Sequence, residues 1–285
     1  MNLASLEETG IAIIGMAGRF PGASSVQELW SVVREGRDVI SRFEAADLAA
    51  DEPDPSVLSQ PNYVRARGLL EGADLFDAEF FDYAPAEATH IDPQHRVWLE
   101  VAWEALESAG YAHDHHSQIV SVFAGSFSNN YLLHSLLPDR NAVEEYVRAR
   151  RAASFALMVQ NDSAHLPTRT AHRLNLRGPA INVQTACSTS LVAVAMGVQN
   201  LLALESDIAI AGGVCIAFPQ KTGYFYQEGA ILSRDGVCRP YDKHACGTVF
   251  GNGVAAIVMK RYADAVRDRG CASGRGLVHR GRAAR

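Results

Sequence analysis

The sequence predicts an α/β fold, a mixed sheet with helices on both of its faces. Three observations carry that expectation. Apolar runs of strand length alternate along the chain with longer segments of helical periodicity. Several of the strand-like runs end in glycine. Hydrophobic residues make up 48% of 285, enough for a real core in one large domain.

Ile11–Gly15 is a short apolar run that reads as a buried strand entering a turn, which Arg19–Gly22 continues. From Ser25 to Glu35 the residues Val26, Leu29, Trp30 and Val33 recur at helical spacing, with Ser24 or Ser25 as N-cap. Residues 44–75 are mixed, with Asp and Pro clustered at 51–55, and read as a long surface excursion. Pro93–Ser108 is a strong helix: Val97, Val101, Ala105 and Ala109 repeat at i+4, and Gly110 is its natural stop. Ile119–Gly125 is a second strand, and residues 139–160 read as helical. Ile181–Cys187 is a strand leading to a turn of small residues. Ser188–Leu204 follows as a helix apolar on nearly all sides, which is the mark of a buried element. Asp207–Cys215 and Gly247–Lys260 read as further strands.

Composition narrows the function classes. The formal net charge of -6 argues against a nucleic-acid binder, which needs Lys and Arg to meet phosphates. Cys187, Cys215, Cys238, Cys246 and Cys271 are odd in number and form no CxxC or CxxH pair. Neither a disulfide framework nor a zinc site is expected, and a reducing cytoplasm is the expected location. Met1–Gly10 lacks the basic start and apolar core of a signal peptide, and no apolar run is long enough to span a membrane. His113-Asp-His-His116 reads as a solvated loop, so no metal is expected. Gly251-Asn-Gly253 lacks the third glycine and the Lys-Ser/Thr pair of a phosphate cradle, so no nucleotide is expected.

The most informative segment is Gly178–Leu191, with Cys187 at a strand–helix junction. The first N–H groups of a helix lack internal partners and the helix dipole is positive there, which favours a thiolate nucleophile. Ala186, Ser188 and Ser190 are small and leave room for a substrate, and the backbone N–H of Cys187 is placed to hold an oxyanion. Position alone leaves a buried structural cysteine and a reactive one as equal readings. Pairing with a nearby histidine such as His165 or His172, as in another thiol acyltransferase or a hydrolase, is not decided by spacing.

Val183-Gln-Thr-Ala-Cys-Ser-Thr-Ser-Leu191 resembles the active-site motif of β-ketoacyl synthases. Further segments follow in the family's order: Ile11–Gly22, Ala73–Phe81, Ile91-Asp-Pro-Gln-His-Arg96, Ala211–Val214, Ile231–Asp242 and Gly247–Gly253. The resemblance covers roughly residues 10–266 and is to the ketosynthase domains of modular polyketide synthases. It implies the first half of a thiolase-like, layered αβαβα core and homodimers in the intact enzyme. It implies that Cys187 accepts an acyl group from the phosphopantetheine of an acyl carrier protein, with no tightly bound cofactor, beside other polyketide synthase domains. A malonyl-type thioester then loses carbon dioxide and attacks that acyl group.

In the family the second step uses histidines in His-Gly-Thr-Gly-Thr and Asn-Ile-Gly-His motifs, well beyond the cysteine. The chain ends 98 residues after Cys187, and its only later histidines, His244 and His279, have other neighbours. The expectation is therefore a truncated synthase, inactive in condensation alone, with part of the apolar Ser188–Leu204 helix left uncovered and prone to association. The expected division is a short extension over 1–10, the synthase N-terminal domain over 11–268, and a basic tail over 269–285. That tail holds Arg269, Arg275, Arg280, Arg282 and Arg285 and no acid. It reads as a frame-shifted continuation; the competing reading is a genuine tail that touches RNA or a partner. The alternative for the whole chain is a non-catalytic module for dimerisation or carrier-protein docking.

Overall fold

Five strands make one mixed sheet, and the alternation of their side chains divides the core in two. In the computed structural model, which describes residues 9–48, 54–112, 117–137, 139–148 and 152–271, these are β1 (Ile11–Arg19), β2 (Val120–Ser126), β3 (Ala180–Asn182), β4 (Ile208–Cys215) and β5 (Gly253–Arg261). Their order across the sheet is β1-β5-β4-β2-β3. β5 runs antiparallel to both β1 and β4, while β4, β2 and β3 are mutually parallel. Odd and even positions of a strand point to opposite faces. Thus Val120, Val122, Ile208, Ile210, Val254, Ala256 and Val258 enter one core, and Phe123, Ala209, Ala211 and Met259 enter the other.

The helices are α1 (Val26–Glu35), α2 (Pro93–Ser108), α3 (Arg140–Arg148), α4 (Ala152–Asn161), α5 (His165–Arg173), α6 (Thr189–Leu202) and α7 (Tyr262–Cys271). α2 dominates the first core, burying Val97, Trp98, Val101, Ala102, Ala105 and Leu106 completely or nearly so. Asp92 caps it by accepting from Gln94 N–H, Pro93 starts it, and Gly110 turns away at φ +80°. It lies close to β1 because Gly15 has no side chain; a Cβ there would sit 2.4 Å from the Ala105 carbonyl oxygen. Gly15 therefore stands inside a strand that bulges at Ile13/Gly15 and continues to Arg19, where the sequence suggested a turn. Arg19 at the strand's end reaches Glu100 and Glu104 of α2 at 2.6 and 2.5 Å.

α6 packs on the opposite face and buries only one of its sides, through Ala193, Gly197 and Leu201. Leu191 remains 72% exposed, and Ile13 and Met16 of β1 are exposed as well. The all-round apolar composition of α6 is thus covered on one side alone, and its outer side stands open as expected for this chain. Residues 44–75 differ from a mere surface excursion. Ala66, Leu70 and Ala73 are buried, and Tyr63–Val64 and Ala66–Arg67 pair with Tyr224–Phe225 and Ser41–Arg42. The final strand begins at Gly253 and not at Gly247, because the Gly68↔Gly251 and Leu232↔Thr248 bridges hold the preceding segment as a loop. α7 runs past the expected boundary at 268 to Cys271, and residues 272–285 of the basic tail lie outside the described residues.

Candidate active site

The carboxyl ends of β2, β3 and β4 meet at one edge, where open α/β sheets place their ligands. Here β3 passes through Val183–Thr185 into one tight turn, Ala186–Ser188, and straight into α6. Cys187 sits in that turn and is exposed. Ala186 takes a left-handed backbone at φ 53°, which costs a non-glycine residue on the order of 1–2 kcal/mol and is a mark of functional turns. Two side-chain bonds hold the turn beside its backbone bonds: Thr185 N–H donates to Thr189 Oγ1 at 3.0 Å, and Ser188 Oγ donates to the Thr185 carbonyl at 2.8 Å. The head of α6 can lie on the sheet because the ladder partners Gly125 and Gly213 form a bare floor. A Cβ on Gly125 would fall 1.9 Å from the Val183 oxygen and 2.7 Å from Thr189 Cγ2.

Beside this turn lies a polar cavity of about 260 Å³. One wall is Gln184, three residues before Cys187, whose amide donates to the Ser126 carbonyl at 2.8 Å. Another is the start of α2, where the Asp92 carboxylate accepts from Gln94 N–H at 2.8 Å and from Gln94 Nε2 at 3.1 Å. Gln94 is fully buried and ties the wall together. Its Oε1 accepts from Phe127 N–H and Ile216 N–H at 3.0 and 3.2 Å, and its Nε2 donates to the Phe127 carbonyl at 3.0 Å. Asn129 and Asn161 close the far side, joined at 2.9 Å. In the sequence Asp92 and Gln94 stand out only through the family resemblance of Ile91–Arg96. The available local signal was an Asp-Pro pair before an apolar run, which marks a helix start.

His165 and His172 are not brought to Cys187. They line a separate cavity of about 220 Å³ with Tyr83, Arg169 and Arg173, into which no residue of the 184–190 turn opens. His244 lies in a loop where its N–H donates to Asp242 Oδ1 at 2.7 Å; His279 and His113–His116 lie outside the described residues. Among the described residues no group of three His, Cys, Asp or Glu side chains is placed to hold a metal. Asn252 of the Gly-Asn-Gly segment is a structural clasp: its Oδ1 accepts from Ala217 N–H at 3.0 Å, and its Nδ2 donates to Gln220 at 2.8 Å. Cys215 is half-buried, and burial raises its thiol pKa, opposed by Arg67. Cys246 approaches Ser233 Oγ at 3.4 Å, and Cys238 is exposed.

Two buried groups at the head of α2 make the stability of the fold depend on pH. Burial pushes the Asp92 carboxyl up to about 6, against the hydrogen bonds from Gln94. The folded chain thus holds this proton more tightly than the unfolded chain, whose carboxyl titrates at about 4, so stability falls as pH rises from about 4 to about 6. Burial drives His95 down to about 3, with Arg169 and His165 adding to the effect. Its ring stays neutral when the unfolded ring takes a proton, so stability falls as pH drops from about 6.5 toward about 3. The two slopes oppose each other between about pH 4 and 6, and Asp92→Asn removes one of them. The variant's stability is expected to climb with pH across that window more steeply than the parent's, by up to about 3 kcal/mol. Urea midpoints at the two ends of the window measure this. Parallel curves would show that the Asp92 proton is not linked to folding.

The family model for the beta-ketoacyl synthase N-terminal domain matches residues 8–265. The chain belongs to the β-ketoacyl synthase family. Curated relatives of this β-ketoacyl synthase domain include a phenolphthiocerol/phthiocerol polyketide synthase of Mycobacterium tuberculosis, 44% identical over 262 residues. Polyketide synthase PksN of Bacillus subtilis is 34% identical over 261 residues. Each alignment takes in 92% of this chain, but only 18% and 5% of the respective relative. Among solved structures, ketosynthase twelve of the bacillaene polyketide synthase from Bacillus amyloliquefaciens superposes with a TM-score of 0.79 at 33% identity. That match covers 90% of this chain and 44% of the solved one. The module 1 ketosynthase of the bacillaene synthase from the same species gives 0.74 at 31% identity, over 90% of this chain and 43% of the other. The fold is thus that of the first half of a thiolase-like ketosynthase, as the resemblance implied. No helix among the described residues is long and apolar enough to cross a membrane.

Proposed function

We propose that this chain carries the acyl-accepting step of a β-ketoacyl synthase in polyketide assembly, with Cys187 as nucleophile. The exposure of Cys187 at the head of α6, beside the carboxyl edge of three parallel strands, is the observation that supports this reading. The Cys187 sulfur attacks the carbonyl carbon of a phosphopantetheine thioester on an acyl carrier protein. The bond from that carbon to the pantetheine sulfur breaks, and the pantetheine leaves as a thiol with the proton given up by Cys187. The backbone N–H of Cys187 steadies the oxyanion that forms between these two events. Decarboxylative condensation is the second step of the family's reaction. The two histidine motifs that serve it do not occur in these 285 residues, so this chain is assigned acylation and the whole synthase the condensation. The proposed partners are an acyl carrier protein, neighbouring polyketide synthase domains and a second copy of the synthase, in the cytoplasm. No tightly bound cofactor enters the step.

The test is to incubate the chain with a hexanoyl pantetheine thioester and read its intact mass, with Cys187→Ala alongside. One acyl adduct is expected on the parent chain and none on the variant. Labelling that persists in Cys187→Ala would remove Cys187 from its role. An unreactive Cys187 together with measurable carrier-protein binding would favour the non-catalytic docking module.

A further inference from the structure

The cavity walled by Gln184, three residues before Cys187, is lined in part by hydrogen-bonding groups that the protein itself leaves unused. Ser126, at the end of β2, is 7% exposed, and its hydroxyl has no hydrogen-bond partner among the described residues. The hydroxyls of Ser128 and Ser163 on the same wall are likewise unengaged, whereas the amides of Asn129 and Asn161 are spent on each other and on backbone carbonyls. Asp92 is 2% exposed, and each of its oxygens accepts one bond from Gln94, which leaves lone pairs for a donor inside the cavity. Phe127 is the lone apolar side chain of the lining.

Burying a hydroxyl without a partner is costly, and a hydrocarbon chain that filled this space would strip water from these groups and return nothing. A chain with hydroxyl groups of its own would replace each lost water bond. The cavity is close enough to serve the thioester. Gln184 forms part of its wall, and three residues of chain separate Gln184 from Cys187 by about 10 Å at most. A volume of about 260 Å³ holds on the order of eight water-sized groups, a short oxygen-bearing stretch of an acyl chain.

We propose that this cavity is a specificity subsite that selects acyl chains hydroxylated near the thioester over saturated ones, with Ser126 as the hydrogen-bond partner of the substrate oxygen and Ser163 and Asp92 beside it. The proposal rests on Cys187 being the acyl acceptor. Sites that hydrogen-bond a substrate hydroxyl reject the analogue lacking it far more sharply than apolar pockets reject an added one, because the site's own polar groups are then left unpaired.

The experiment compares the rates at which the full chain is acylated at Cys187 by hexanoyl and by 3,5-dihydroxyhexanoyl pantetheine, followed by intact mass. The dihydroxy chain is expected to react about tenfold faster, the weight of one ordinary hydrogen bond. That ratio is expected to fall by about threefold or more in Ser126→Ala, and to fall in Ser163→Ala, which alters the same wall from a different element. Equal rates for the two thioesters in the parent chain would overturn the subsite while leaving Cys187 as acceptor. A preference that neither variant changes would overturn it as well. If neither thioester labels Cys187, the acyl-acceptor reading fails and the subsite falls with it.

Discussion

Gly125→Ala is expected to lower stability by more than about 3 kcal/mol and to cut the rate of Cys187 acylation by at least about tenfold. Overpacking ordinarily costs about 1–3 kcal/mol because a side chain can rotate away from the added atoms. Here the added methyl would lie 1.9 Å from the Val183 oxygen, which is backbone, and that backbone is committed. Val183 N–H donates to the Ala124 carbonyl at 2.9 Å, so moving the oxygen moves the bond that extends β3 along β2. The same methyl meets Thr189 Cγ2 at 2.7 Å, and Thr189 Oγ1 is one of the groups that hold the turn carrying Cys187. Fold and chemistry are thus coupled at one atom. Gly253→Ala is a fair control, since a Cβ there meets only the Arg19 oxygen, at 3.6 Å. Thermal unfolding and the acylation assay together decide the matter. A Gly125→Ala chain with an unchanged midpoint and labelling rate would show that the close packing beneath the turn does not hold.

How much of this could be read beforehand depended on how local the determinants were. α2 was legible to the residue, because its start is written as Asp92-Pro93 and its stop as Gly110, and nothing distant competes with those signals. The strand–turn–helix about Cys187 was legible for the same reason. Gly15 and Gly247 misled, since a glycine marks either a turn or a close approach. Only the fold tells that Gly15 admits the Ala105 carbonyl and Gly247 admits Leu232. The left-handed Ala186 carried no sequence signal at all, because alanine does not advertise that conformation. The polar cavity was invisible for a different reason. Asp92, Ser126, Asn161 and Gln184 are scattered over nearly a hundred positions and are gathered only when β2 and β3 pair and α2 caps their ends. The apolar outer side of α6 was legible as well: its composition records the surroundings of a whole ketosynthase, of which this chain spans less than half, and Leu191 and Leu202 stand exposed as that reading expects.

Trp98→Ala is expected to cost about 3–5 kcal/mol, which for a chain of this size lowers the unfolding midpoint by on the order of 10 °C. Trp98 is fully buried at the centre of α2, and its indole N–H donates to Thr170 Oγ1 of α5 at 3.0 Å. Its ring also fits against the sheet where a residue with a side chain is forbidden: a Cβ on Gly212 would stand 3.0 Å from Trp98 Cζ3 and 2.0 Å from the Ala255 oxygen. The void left by alanine cannot be filled from that side without separating β4 from β5, so collapse is limited and the cavity cost is carried nearly whole. Trp98→Phe separates the two contributions. It keeps most of the ring and loses the hydrogen bond, at about 1–2 kcal/mol; Thr170 stays satisfied as a donor through the Leu166 carbonyl at 2.8 Å. Denaturant midpoints for the two variants give the comparison, and equal losses would mean that the hydrogen bond and not the filled volume is what Trp98 supplies. The expected order matters for function. α2 carries Asp92 and Gln94 at its head, and the cavity wall they form is only as fixed as the helix behind it. Loosening α2 at Trp98 therefore ought to blunt discrimination between hydroxylated and saturated thioesters before it abolishes acylation, because Cys187 is held by the separate contacts of β3 and α6.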